Sequence, residues 1–144
     1  MRQTRGIYLI SMVAETLDMH PQTLRKYERA GFVAPLRMGT LRTYTDEDVA
    51  RLRLIKHFVD DLGLNLAGVE MALGFTGDLL QTRTRLVNAG GTSEAVVDSV
   101  NRIDGMLARL GIKVVKRAEE GRNDRRGPGD GWFGMGMGEA LEFG

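Results

Sequence analysis

Cysteine is absent from the chain, which excludes a disulfide framework, a thiolate metal site and a cysteine nucleophile. A reducing cytoplasm fits that usage. Long apolar runs are lacking too. Nothing approaches the roughly 18 to 20 apolar residues that span a bilayer, and no such run follows the basic N-terminal residues, so neither export nor a membrane partner is expected. There is also no strong excess of charge, the formal net charge being +1. Its distribution says slightly more, with ten Lys/Arg against seven Asp/Glu up to residue 60 and ten against twelve beyond it. The front half is the basic one, but a difference of this size points to nucleic acid only where position supports it. No phosphate-binding loop pattern occurs. Glu15, Asp46, Glu47 and Asp48 are accounted for as helix-surface or dipole-compensating charges, so neither catalytic residues nor a cofactor are expected. His20 and His57 fall in different elements without a carboxylate cluster; they are expected as a turn residue and an exposed helix residue, not as metal ligands.

What is present is an ordinary globular balance, 42% hydrophobic and 27% charged over 144 residues, enough for one sizeable core with appendages. The pattern predicts a mainly α fold. Ile7 to Ile10 is β-prone, and Ser11 offers a cap for a helix carrying Met12, Val13 and Leu17. Asp18-Met19-His20 predicts a turn, and Pro21 suits the first position of a second helix, where its missing N–H costs nothing. Leu24 and Tyr27/Glu28 follow at helical spacing, and Gly31 stands where a glycine cap closes a helix. Residues 32 to 44 surround a Gly-containing turn with β-prone residues, which predicts a small hairpin, or wing. Thr45 ahead of three acidic residues is a strong helix start. Val49, Leu52, Ile55, Phe58/Val59 and Leu62 make its buried stripe, Gly63 ends it, and a short helix with Leu66, Val69 and Leu73 completes a compact head over residues 1–74.

Residues 75–91 are expected as a linker or short helix, because Gly74, Gly77 and Gly90-Gly91 bracket its few leucines. From Thr92 onward, Val96, Val100, Ile103, Leu107 and Leu110 recur at heptad steps, which predicts a dimerisation helix over 92–112. The alternative is a helix packed on its own head. Residues 113–144 gather glycines and mixed charges and are expected to be a flexible tail. Within it, Trp132, Phe133, Met135, Met137, Leu141 and Phe143 are apolar enough to dock on a partner or back onto the head.

The order helix, turn, helix, hairpin, helix places a short second helix beside a wing, a geometry suited to entering a major groove while clamping the backbone. The residue types agree. Gln22, Thr23, Arg25 and Lys26 lie on the second helix; Arg makes paired hydrogen bonds to guanine, Gln does so to adenine, and Lys and Thr serve bases or phosphates. Arg25 is the first choice for a base contact. Arg37 and Arg42 flank the wing turn, where guanidinium groups can reach phosphates or the narrow groove.

The strings His20-Pro21-Gln22-Thr23-Leu24-Arg25-Lys26-Tyr27-Glu28, Gly31-Phe32-Val33-Ala34-Pro35, Arg42-Thr43-Tyr44-Thr45 and Asn65-Leu66-Ala67-Gly68-Val69 carry a resemblance. Together, Ile10 to Leu73 resembles the N-terminal domain of the MerR family of bacterial regulators, and most closely its heat-shock repressor (HspR-like) branch. The resemblance implies a winged helix-turn-helix head, dimers formed through an antiparallel coiled coil, and repression of chaperone operons through an inverted repeat in double-stranded DNA. It also implies a cytoplasmic, nucleoid-associated protein with the chaperone DnaK as a candidate co-repressor. By the same resemblance Arg25 enters the major groove, Tyr27 meets the DNA backbone and the wing arginine, Arg42, lies near phosphates; Tyr44 is a further expected DNA-binding residue. Two features depart from the family pattern: Lys26 stands where many relatives carry tyrosine, and glycines interrupt the chain before Thr92. Two other functions remain open, a MerR-type activator or phage-type regulator controlled by another protein, and a DNA-associated protein-interaction adaptor.

Overall fold

A computed structural model of the chain describes residues 6–90, 92–116 and 139–143. They fall into two compact units, Met1–Leu66 and Ala67–Gly144. Among the described residues, no helix is long and apolar enough to cross a membrane.

In the first unit the order is β1 (Ile7–Leu9), α1 (Ile10–Leu17), α2 (Pro21–Arg29), β2 (Leu36–Met38), β3 (Leu41–Thr45) and α3 (Asp46–Lys56), the last running into a π-helical turn over His57–Asp61. The strands form one antiparallel sheet in the order β1-β3-β2. Helix α1 starts one residue before the expected cap, from Leu9 and without a side-chain cap bond. It ends on Asp18 in the left-handed region, φ +50°, from which the Met19 N–H returns to the Ala14 carbonyl. Lys56 on α3 closes the same end, its Nζ donating to the carbonyls of Leu17 at 2.7 Å and Asp18 at 3.2 Å. A cation at a helix C-terminus satisfies both the orphan carbonyls and the dipole there, so α3 fixes the turn that leads into α2.

Pro21 opens α2, and the His20 ring Nδ1 accepts from the Gln22 N–H. At the other end Gly31 has φ +80°, the Phe32 N–H bonds the Tyr27 carbonyl and the Gly31 N–H bonds that of Glu28. This is the paired closure that a left-handed glycine permits, and the Tyr27 and Phe32 rings meet across it at 6.2 Å. Thr45 caps α3 through a reciprocal pair with Asp48. The core gathers Leu24, Tyr44, Leu52, Leu54, Ile55 and Phe58, each with no exposed surface. His57, expected on an exposed helix face, is instead buried, with Nδ1 2.7 Å from Asp61 Oδ2; it follows buried Leu54 by three residues and adjoins buried Phe58, so it continues a covered side of the helix.

The second unit corrects two expectations. The short helix ending at 74 and residues 75–88 of the segment expected as a linker or short helix are one helix, α4 (Leu66–Asn88). Gly68, Gly74 and Gly77 each cost about 1 kcal/mol relative to alanine, yet buried Val69, Ala72, Leu73, Thr76 and Leu80 keep three-to-four spacing straight through them, and packing of that stripe outweighs propensity. Helix α5 (Glu94–Arg109) starts on a Ser93 cap. Ile112, expected to end the dimerisation helix, opens β4 (Ile112–Lys116), whose other residues and those of β5 (Glu139–Phe143) were expected in a flexible tail; the two strands pair antiparallel with Ile112 opposite Phe143 and Val114 opposite Leu141. That register also sets Lys113 opposite Glu142 and Lys116 opposite Glu139, so apolar and opposite-charge pairs agree on one alignment. Arg83 of α4 ties the unit together, with Nε 2.7 Å from Asp104 on α5 and Nη1 3.0 Å from Glu139 on β5.

Candidate nucleic-acid interface

Helix α2 has two faces. Leu24 and Tyr27 are buried, whereas Gln22, Lys26 and Arg29 are exposed at four- and three-residue steps, with Thr23 and Arg25 half-buried beside them. One turn-to-turn stripe therefore carries an amide and two cations, with Arg25 on its flank. Arg29 continues the stripe by one more turn and was not among the expected contacts; its spacing from Lys26 was the available signal.

The wing is β2 and β3 joined through Gly39-Thr40, with Met38 opposite Leu41. Gly39 has φ +66° and is the first residue of that two-residue loop, the place where such a hairpin turn demands glycine. Directly paired residues share a face. Arg37 and Arg42 are such a pair, on the same side as Tyr44, while Leu36, Met38 and Leu41 stand exposed on the opposite side. The two arginines meet Glu28 of α2: Arg42 Nε donates to Glu28 Oε2 at 2.8 Å, and Arg37 Nη2 lies 3.8 Å from Glu28 Oε1. The Arg42 side chain is 27% exposed and that of Arg37 63%. Arg42, expected at phosphates, is thus engaged inside the unit, and Arg37 is the freer of the two.

Both tyrosines assigned to DNA lie in the core. Tyr44 has no exposed surface and Tyr27 keeps 4%, so neither presents its ring to a ligand. The Tyr44 hydroxyl has no hydrogen-bond partner among the described residues; burial, then the nearby Glu28 carboxylate, pushes its phenol above the ordinary range. Burial likewise raises that of Tyr27, with Asp60 adding to it. A tyrosine has an apolar body and a polar tip and suits either a core or an interface.

The profile of the MerR HTH family of regulatory proteins matches residues 8–75. This segment is a MerR-family helix-turn-helix domain. It contains the whole of the α2 and wing geometry described above. Over 80 residues the chain is 36% identical to a protein named heat shock protein HspR in Streptomyces coelicolor, the match covering 55% of this chain and 53% of that protein. Over 70 residues it is 38% identical to the HTH-type transcriptional regulator MlrA of Escherichia coli, covering 47% of this chain and 28% of that protein. The chain therefore aligns with about half or less of each of these relatives. No solved structure matches it significantly.

Of the residues expected to dimerise the chain, Ile103 and Leu107 are buried within the single protomer, and Val96, Val100 and Leu110 are half-buried. Of those expected to dock a partner, Leu141 and Phe143 lie half-buried in β5; Trp132, Phe133, Met135 and Met137 lie outside the described residues.

Proposed function

We propose that the chain is a sequence-specific DNA-binding transcription regulator that acts as a homodimer on an inverted repeat in double-stranded DNA and represses heat-shock or chaperone genes in the cytoplasm. The observation that carries the reading is the exposed Gln22-Lys26-Arg29 stripe of α2, with Arg25 at its flank, beside a wing that presents Arg37. Those side chains have the donors that read base edges and phosphates. Likeness to the HspR protein supports the heat-shock assignment. Self-association is supported by apolar surface left over in the second unit, where Met71 and Phe75 stand 62% and 58% exposed one turn apart on α4. DnaK enters as a candidate co-repressor, which must strengthen DNA binding as much as DNA strengthens its own.

The test is selection from a pool of randomised duplexes by the full chain, followed by titration of the enriched sequence with and without DnaK. An enriched inverted repeat is the expected result; a pool that never enriches overturns the reading. A gain in affinity with DnaK supports the co-repressor role, and an unchanged affinity removes DnaK from the account.

A further inference from the structure

Glu28 is the sole acidic residue of α2, a helix that otherwise carries Arg25, Lys26 and Arg29. An acidic side chain on a helix meant to approach phosphates repels them, so its presence calls for a reason. The geometry supplies one. Each carboxylate oxygen faces a different guanidinium, Oε2 at 2.8 Å from Arg42 and Oε1 at 3.8 Å from Arg37, and those two arginines sit directly across the β2–β3 ladder from each other. Like charges opposite one another in a ladder repel, and Glu28 is what compensates the pair. Its side chain is only 21% exposed, so its bond to Arg42 is partly shielded from solvent and stronger than a surface ion pair. The aliphatic stems of both arginines run on the Tyr44 side of the sheet, and Tyr44 is fully buried. The carboxylate therefore joins the wing to α2 at a fixed spacing.

We propose that Glu28 is a specificity-determining positioning residue: it locks the wing to α2 through Arg42 and withholds that arginine from indiscriminate phosphate contact, leaving Arg37 as the wing's DNA-facing cation. This rests on the DNA-binding reading above. The lock has two effects on recognition. A fixed wing lets α2 meet base edges only in one register, which costs little entropy on the right sequence. A neutralised Arg42 removes one counterion-releasing contact from binding to any sequence.

The experiment compares the full-length wild type with E28Q, R42Q, R37Q and the double variant E28Q/R42Q, on a duplex enriched by selection and on a random-sequence duplex of equal length, over a range of salt concentrations. E28Q keeps the side-chain volume, and R42Q breaks the same bond from the other side, so misfolding of one variant leaves the other informative. For E28Q the expected result is tighter binding to the random duplex, by about threefold, and a salt slope steeper by about one unit. The ratio of selected to random affinity should fall. R42Q should lower that ratio with the random-duplex slope unchanged, R37Q should flatten the slope by about one unit, and the double variant should be no worse than R42Q alone. An E28Q protein with wild-type slope and ratio overturns the inference. So does an R42Q protein whose slope flattens by one unit, since Arg42 would then contact phosphate directly. Both outcomes require a wild type that binds DNA, so they are distinct from a wild type that binds neither duplex, which overturns the DNA-binding reading itself.

Discussion

At the scale of single residues, the wing and α2 divide into side chains that face outward and side chains that hold the others in place. Arg25 belongs with the first group, and Arg25→Ala is expected to lose about 1–3 kcal/mol of binding to a selected duplex while relaxing base preference. Equal loss on selected and random duplexes, measured by titration at one salt concentration, assigns Arg25 to the backbone instead. Tyr44 belongs with the second. Its hydroxyl is buried without a partner among the described residues, and an orphaned polar group costs about 1–3 kcal/mol, so Tyr44→Phe should be neutral or stabilising in denaturant titration at pH 7. A loss above about 1 kcal/mol would reveal a bond that the hydroxyl makes. The phenol is raised chiefly by burial. Its share of stability is therefore complete below the unfolded value near 10.0 and is lost as pH climbs through the higher folded one, and Tyr44→Phe should lessen the alkaline fall in stability. That Arg25 and Arg37 keep surface open to solvent was legible in the sequence because an unpaired guanidinium is costly to bury. Glu28, Tyr27 and Tyr44 were not, since their roles depend on which strand or helix the fold brings opposite them.

At the scale of elements, caps were the most legible feature. Pro21, Gly31, Gly39, Thr45 and Gly63 all do locally what their backbone chemistry predicts, and three of them adopt positive φ. Thr45→Ala removes one half of the reciprocal cap with Asp48 and should cost about 1 kcal/mol by thermal or chemical denaturation. The boundaries of α4 were not legible, because glycine signals a helix end only when no buried stripe crosses it, and the stripe from Val69 to Leu80 does. Gly74 and Gly105 both sit mid-helix with open space around the position of a Cβ. Gly74→Ala and Gly105→Ala should each stabilise by about 0.5–1 kcal/mol; destabilisation of either would mean that its helix packs closely against a partner there. The β4–β5 ladder was missed because its strands are 22 residues apart in sequence, and glycine-rich composition between them masked two short segments whose apolar and charged residues match in register.

At the scale of the whole molecule, a MerR-family domain spans residues 8–75, and the second unit, Ala67–Gly144, is proposed to make the chain a dimer. Two half-site readers joined in one particle bind an inverted repeat far more tightly than either does separately. Sedimentation of the full chain should therefore give a dimer at concentrations that saturate a selected duplex, and a monomer there would remove the second unit from DNA recognition. The central claim is that the α2 stripe and the wing read sequence rather than charge alone. The most direct test is the affinity of the full chain for its selected inverted repeat against a scrambled duplex of the same composition, both at 0.15 M salt, a concentration of about physiological ionic strength. The account predicts a preference of at least about a thousandfold for the inverted repeat, whereas equal affinity for the two duplexes would contradict it.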